Sequence, residues 1–242
     1  MSLIGSLLLL GTLSTEPGVE IHWRSIGEGP PLVVPAGFLF DDDLDVLSRS
    51  HRVILYDTRN RGRSSRVTDP SKLTIEGDLH DLEALRRHLA LDRFSLLGYS
   101  YLGKMVVLYA LRHPERVERI VQIGAVPMRF HSDFPSIHDQ TVEVPFDFDA
   151  RMRLRALRAE GLHEKDPRRY CEEEWLVSRV GLVGDPKLAS GLESRCHLPN
   201  EWPVNFAVHL RHHFPSVQKA DVDPLDLAAL VQPVLTSHGT RD

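Results

Sequence analysis

The chain has 242 residues, of which 42% are hydrophobic and 26% charged, and its formal net charge is −5. A chain of this length can bury a sizeable core as one domain, or as one domain with an insertion. The acidic balance excludes nucleic acid as the main partner, because proteins that bind phosphate backbones carry a basic excess.

The N-terminal sequence MSLIGSLLLLGTL is apolar but too short to span a bilayer. It also lacks the preceding positive charge of a signal peptide, since the first basic residue is Arg24. We therefore predict a first strand at Leu7–Thr15, in a cytoplasmic protein with no membrane partner. Secretion is the alternative interpretation of this run.

Apolar runs of strand length alternate with helical patterns through the first half of the chain. This alternation is typical of a parallel sheet with crossover helices. A turn at Pro17-Gly18 predicts that the first two strands form a hairpin. After the first strand, we predict strands at Glu20–Ile26, Leu32–Pro35, Val53–Tyr56, Phe94–Leu97 and Arg119–Gly124.

Two helical patterns lie between these strands. Thr74 is expected to cap a helix that ends near Leu89, with leucines recurring along one face. Tyr101 begins a second helix, which ends before Pro114 because proline cannot continue it.

The pattern changes from about Pro127, where helical segments follow one another without strands until Ser216. The apolar run Pro233–Ser237 then predicts a last strand. We therefore predict a core in residues 1–127, a helical insertion in 128–216 and a return to the core in 217–242.

Two features of the insertion have alternative interpretations. The acidic run Glu172-Glu173-Glu174 fits a solvated helix face, or a site that grips the free amine of a substrate. Cys171 and Cys196 are the only cysteines of the chain. Because unpaired cysteines are often buried, we expect two free thiols rather than a disulfide.

Ser100 stands between a predicted strand and a predicted helix, in the sequence GYSYLG. A nucleophile at such a turn sits on strained backbone and needs small residues two positions before and after it. Gly98 meets that need, whereas Leu102 does not and Gly103 lies one position late. We therefore predict a wider approach of strand and helix at Leu102. The local pattern fits equally well a serine that caps the helix.

Four motifs, in this order along the chain, resemble those of the α/β-hydrolase family: PAGF at 35–38, DTRNRGRS at 57–64, GYSYLG at 98–103 and PVLTSHGTRD at 233–242. The second is the most specific, with Asn60 in place of a glycine and a left-handed backbone expected there. The resemblance is to the proline iminopeptidase-like and carboxylesterase branch. It implies an α/β-hydrolase fold, with a mostly parallel sheet, crossover helices and a helical cap formed by the insertion.

The resemblance also assigns roles to individual residues. Ser100 would be the nucleophile, the backbone N–H groups of Phe38 and Tyr101 would form the oxyanion hole, and Asp242 would be the acid that orients a histidine. The implied reaction is acyl transfer to water by a carboxylesterase-like serine hydrolase on a small-molecule ester. The alternative is a proline iminopeptidase-like aminopeptidase with an amide substrate. No metal or organic cofactor is implied.

The histidine of the triad is the gap in this assignment. Family members carry it after a further strand downstream of the acid, and no residue of this sequence matches that position, so the last strand and helix of the fold are expected to be missing. The chain is then a truncated version of a longer enzyme, a catalytically impaired binding protein, or an enzyme that uses another histidine. The candidate substitutes are His131, His138, His209, His212 and His213. An unpaired strand edge at Pro233–Ser237 would also favour a dimer.

Overall fold

The computed structural model describes residues 8–130 and 147–239. The described residues belong to two compact units. The first contains residues 8–130 and 211–239, and the second contains residues 147–210. All the strands described below belong to the first unit.

Seven strands of the described residues form one sheet. They are β1 (Leu9–Glu16), β2 (Val19–Ile26), β3 (Pro31–Val34), β4 (Arg52–Tyr56), β5 (Phe94–Tyr99), β6 (Val117–Ile123) and β7 (Val234–Ser237). Their order across the sheet is β1-β2-β4-β3-β5-β6-β7. The β1–β2 and β2–β4 pairs are antiparallel, whereas every pair from β4 to β7 is parallel. The mostly parallel sheet predicted from the sequence is confirmed.

The parallel strands are apolar at successive positions because both of their faces are covered. Val33 and Val34 of β3 are both buried, as are Val53 and Ile54 of β4. The edge strand β7 differs, since all four of its residues are exposed. The dimer expected through this edge stays a prediction.

Eight α-helices occur in the described residues. They are α1 (Gly37–Phe40), α2 (Ile75–His88), α3 (Tyr101–Arg112), α4 (Phe148–Ala159), α5 (Leu162–Lys165), α6 (Pro167–Ser178), α7 (Pro203–Lys219) and α8 (Pro224–Ala228). Helix α2 begins as the sequence predicts, because the Thr74 side chain accepts a hydrogen bond from the Gly77 N–H at 3.0 Å. Helix α2 packs on β1 and α3, and α3 packs on β5 and β6.

The second unit contains a disulfide between Cys171 of α6 and Cys196. The prediction of two free thiols is therefore wrong. The two cysteines are 25 residues apart in sequence and have Cα atoms 5.7 Å apart. That distance suits a disulfide, but it depends on tertiary folding and cannot be inferred from the sequence spacing.

None of the helices in the part of the chain that the structure describes combines the length and the apolar character that crossing a membrane requires.

Candidate active site

The turns that follow β3 and β5 lie at the same edge of the sheet. The two strands are parallel neighbours in which Val33 pairs with Leu96. Their carboxyl ends therefore bring the turn at Gly37-Phe38 beside the turn at Ser100. A ring contact between Phe40 and Tyr99, with centroids 6.0 Å apart, joins the two turns. Crevices at the carboxyl ends of parallel strands are where α/β proteins bind ligands.

Ser100 has a strained backbone, with φ 54° and ψ −128°. Its N–H donates to the Ile123 carbonyl at 3.0 Å, and its carbonyl accepts from the Gly103 and Val126 N–H groups at 3.0 and 3.2 Å. Among the described residues, its hydroxyl accepts no capping hydrogen bond from α3. Hydrogen bonds at both its N–H and its carbonyl thus fix the Ser100 backbone. The Ser100 side chain does not cap α3.

The glycines of this turn explain how it tolerates Leu102. A Cβ added at Gly98 would overlap the Leu102 carbonyl oxygen and lie 2.6 Å from the Leu102 carbonyl carbon. Strand and helix are therefore in close contact at Leu102, and the predicted wider approach is wrong. The Leu102 side chain is buried in the hydrophobic core. Gly103 supplies the second small position, since a Cβ there would lie 2.6 Å from the Ala125 Cβ.

Replacing Gly98 with alanine should lower the free energy of unfolding by about 3 kcal/mol, because the added methyl group meets backbone atoms that cannot move aside. Chemical denaturation measures the change. Gly191→Ala is the control, since an added Cβ meets nothing within 4 Å there, and it should stay within about 1 kcal/mol of the wild type. Equal stability of the two variants would contradict the close approach.

Phe38 lies in the first turn of α1 and Tyr101 is the first residue of α3. N–H groups in a first turn have no acceptor within their own helix, and they point out of its N-terminal end. The Phe38 side chain is buried, and the Arg61 guanidinium stacks over its ring at 4.0 Å from the centroid. The cation–π contact fixes the residue that the sequence assigns to the oxyanion hole.

The 57–64 loop packs against the turn at Gly37-Phe38. A Cβ added at Gly37 would lie 2.6 Å from Asp57 Oδ1, so the turn rests directly on that buried carboxylate. Asp57 Oδ2 accepts from the Arg63 N–H at 2.7 Å, and the Asp57 carbonyl accepts from the Ser64 hydroxyl at 2.7 Å. Asn60 has φ 62°, which confirms the left-handed backbone expected at that position.

Arg59 anchors the same loop to α2. Its side chain is 1% exposed and makes two hydrogen bonds, of 2.8 and 2.7 Å, to the fully buried Asp81 carboxylate. It also donates to Glu16 at 2.7 Å and to the Lys72 carbonyl at 2.8 Å. Burial, the largest single cause, lowers the pKa of Arg59, but the hydrogen bonds and negative charges of Asp81, Asp78 and Glu16 together outweigh it and raise the pKa above its ordinary value. Arg59 therefore has a structural role.

The remaining predicted site residues are the acid of the triad and the candidate substitute histidines. Asp242, His131 and His138 lie outside the described residues. His209 is buried in the second unit, and His212 is exposed. Among the described residues, no histidine is hydrogen-bonded to the Ser100 hydroxyl. Nor do the described residues bring together three or more His, Cys, Asp or Glu side chains able to hold a metal ion.

Sequence reasoning missed two contacts near this edge of the sheet. One is the stacking of Arg61 on Phe38, and the other is a hydrogen bond between His213 and Asp78. Asp78 and Asp81 lie three residues apart on the apolar face of α2, and both are fully buried. Carboxylates on a core-facing position of a predicted helix were the signal that could have found the second contact.

A family model described as alpha/beta hydrolase fold matches residues 38–166, just over half of the chain. The match begins at Phe38 and contains the 57–64 loop and the Ser100 turn. The chain belongs to the α/β-hydrolase fold family.

This α/β-hydrolase is similar to several curated proteins. It is 36% identical over 116 residues to the proline iminopeptidase of Lactobacillus helveticus, covering 43% of this chain and 40% of the relative. It is 33% identical over 129 residues to a non-heme haloperoxidase of Rhodococcus erythropolis, covering 48% of this chain and 44% of the relative. The chain thus spans less than half the length of these curated relatives.

Solved structures share the fold over nearly the whole chain of this α/β-hydrolase. The epoxide hydrolase CorEH aligns with a TM-score of 0.66 and 18% identity, over 97% of this chain and 83% of its own. A 2-hydroxy-6-oxo-6-phenylhexa-2,4-dienoate hydrolase from Rhodococcus sp. strain RHA1 aligns with a TM-score of 0.63 and 15% identity, over 98% of this chain and 83% of its own. At such identities the likeness shows the fold alone.

Proposed function

We propose that this α/β-hydrolase is a serine hydrolase that cleaves a small carboxylic ester by acyl transfer to water. The observation that carries the proposal is the backbone of Ser100, held at φ 54° between β5 and the N-terminus of α3. Such a strained strand-to-helix turn exposes a nucleophile above the sheet. The Phe38 turn beside it provides the second half of an oxyanion hole.

In the proposed reaction, Ser100 Oγ attacks the carbonyl carbon of the ester while a general base takes the hydroxyl proton. The carbonyl oxygen becomes an oxyanion, which the N–H groups of Phe38 and Tyr101 stabilise. Collapse of this intermediate breaks the ester bond, and the alcohol leaves with the proton. Water then attacks the acyl-enzyme, releasing the acid and restoring Ser100. The family pattern gives the base role to a histidine oriented by Asp242, and this sequence does not identify that histidine.

A second candidate is an aminopeptidase that acts on N-terminal proline. The observation in its favour is the similarity to proline iminopeptidases, for example 39% identity over 121 residues to the putative proline iminopeptidase of Mycoplasma pneumoniae. The same nucleophile and oxyanion hole would serve an amide. The choice between an esterase and an aminopeptidase then depends on the residues that contact the alcohol part of an ester or the free amine of a peptide.

Turnover of p-nitrophenyl butyrate and of proline p-nitroanilide separates the two candidates. The ester proposal predicts that the butyrate has the higher kcat/KM. Strong turnover of the anilide alone would overturn it in favour of the aminopeptidase. Turnover of neither substrate by folded protein would favour a binding role.

A further inference from the structure

His213 and Asp78 form a buried pair in the first unit. His213 Nε2 lies 2.8 Å from Asp78 Oδ2, and the two side chains are 1% and 0% exposed. The imidazole also contacts the Tyr101 ring, with centroids 4.8 Å apart and the planes inclined at 59°. Tyr101 directly follows Ser100, so this pair is one residue removed from the proposed nucleophile.

The helix segment that carries His213 is itself fixed to the core. The His213 carbonyl accepts from the Ser216 hydroxyl at 2.7 Å, and that hydroxyl accepts from the Ile75 N–H at 2.8 Å, at the start of α2. The Val217 carbonyl accepts from buried Lys104 of α3 at 2.9 Å. Residues 211–219 of α7 are thus tied to both α2 and α3, and the imidazole is held where it meets Tyr101.

The Asp78 carboxylate orients the imidazole of His213. One hydrogen bond donated to a carboxylate orients an imidazole, and a fully buried carboxylate requires such a partner. The nearby Tyr56 is fully buried too, and this burial raises its pKa, with Asp78, Asp81 and Tyr101 adding to the rise. The imidazole therefore presents a fixed face to the Tyr101 ring.

We propose that His213, oriented by Asp78, is a positioning residue that holds Tyr101 and so fixes the oxyanion N–H and the strained Ser100 backbone. The proposal rests on the proposed function for its effect on the reaction. Its structural part, the coupling of His213 to the backbone of residues 99–106, does not depend on that function. His213 acts through Tyr101 and is not assigned to proton transfer.

The test compares His213 with a second histidine that packs against another tyrosine of α3. His113 makes a similar contact with Tyr109, with centroids 4.8 Å apart, at the C-terminal end of α3. The variants are His213→Ala, His213→Gln, Asp78→Asn, His113→Ala and His113→Gln. For each folded variant the measurements are amide hydrogen exchange in residues 99–106, the rate of Ser100 labelling by a fluorophosphonate, and kcat and KM for p-nitrophenyl butyrate.

We expect His213→Ala to speed amide exchange in residues 99–106 by about tenfold, and to slow labelling and kcat by about tenfold to a hundredfold with KM unchanged. His213→Gln should recover part of each loss, because its amide can still donate to Asp78. Both His113 variants should stay within about twofold of the wild type in these measurements.

Equal effects of the His213 and His113 variants on exchange and on labelling would overturn the proposal. If His213→Ala does not fold, His213→Gln and Asp78→Asn are compared with His113→Gln instead. Equal effects of these variants on exchange and on labelling would likewise overturn the proposal. A wild type that is never labelled would refute the proposed function alone, and the exchange data would still decide whether His213 holds the turn.

Discussion

Replacing Ser100 with alanine should lower kcat for p-nitrophenyl butyrate by about 10⁴-fold or more. The substitution removes the oxygen that forms the acyl-enzyme while leaving the oxyanion donors in place. Loss of any one member of a triad leaves only the residual catalysis of the oxyanion hole and of substrate binding. Steady-state kinetics measures the effect.

Ser95→Ala is the matched control, because Ser95 lies on β5, the strand that leads into the Ser100 turn, five positions before the nucleophile. It should keep kcat and KM within about twofold of the wild type. Ser100→Ala protein that retains the wild-type kcat would contradict the assignment of the nucleophile. The two variants should have similar melting temperatures, which separates a chemical loss from unfolding.

Replacing Arg59 with methionine should lower the free energy of unfolding by about 3–5 kcal/mol, the largest effect on stability that we expect. The change removes the cation from a bidentate contact and leaves the Asp81 carboxylate fully buried. An uncompensated buried charge costs far more than a lost contact at the surface. Urea denaturation monitored by tryptophan fluorescence measures the difference.

Arg63→Met is the control for this prediction. Arg63 is 38% exposed and lies 3.3 Å from Asp41, so its ion pair is worth less than about 1 kcal/mol. The double variant Arg59→Met with Asp81→Leu should recover much of the stability, because neither charge is then buried. A double variant as unstable as Arg59→Met alone would show that the loop needs the arginine for another reason.

Most of the sheet could be predicted from the sequence, since its signals are local. The apolar runs give strands β2 to β6 within two residues of their observed ends, and Thr74 marks the start of α2. The Ser100 turn was also predictable, because it depends on a strand, a helix and neighbouring small residues. Its consequence at Leu102 was not, because the sequence does not show that Gly103 faces Ala125.

Contacts between distant segments explain what the sequence could not predict. Cys171 and Cys196 pair because the tertiary fold places α6 beside the segment that carries Cys196. His213 meets Asp78 across 135 positions of sequence. A buried carboxylate on an apolar helix face indicates that a partner exists, but it does not identify which histidine or arginine that partner is.

Labelling of the folded protein with a fluorophosphonate, followed by peptide mass spectrometry, tests the central claim most directly. The account predicts one adduct per chain on the peptide that contains Ser100, and no adduct in Ser100→Ala. It also predicts that p-nitrophenyl butyrate slows the labelling. Folded protein that forms no adduct, or that carries the adduct on another residue, would contradict it.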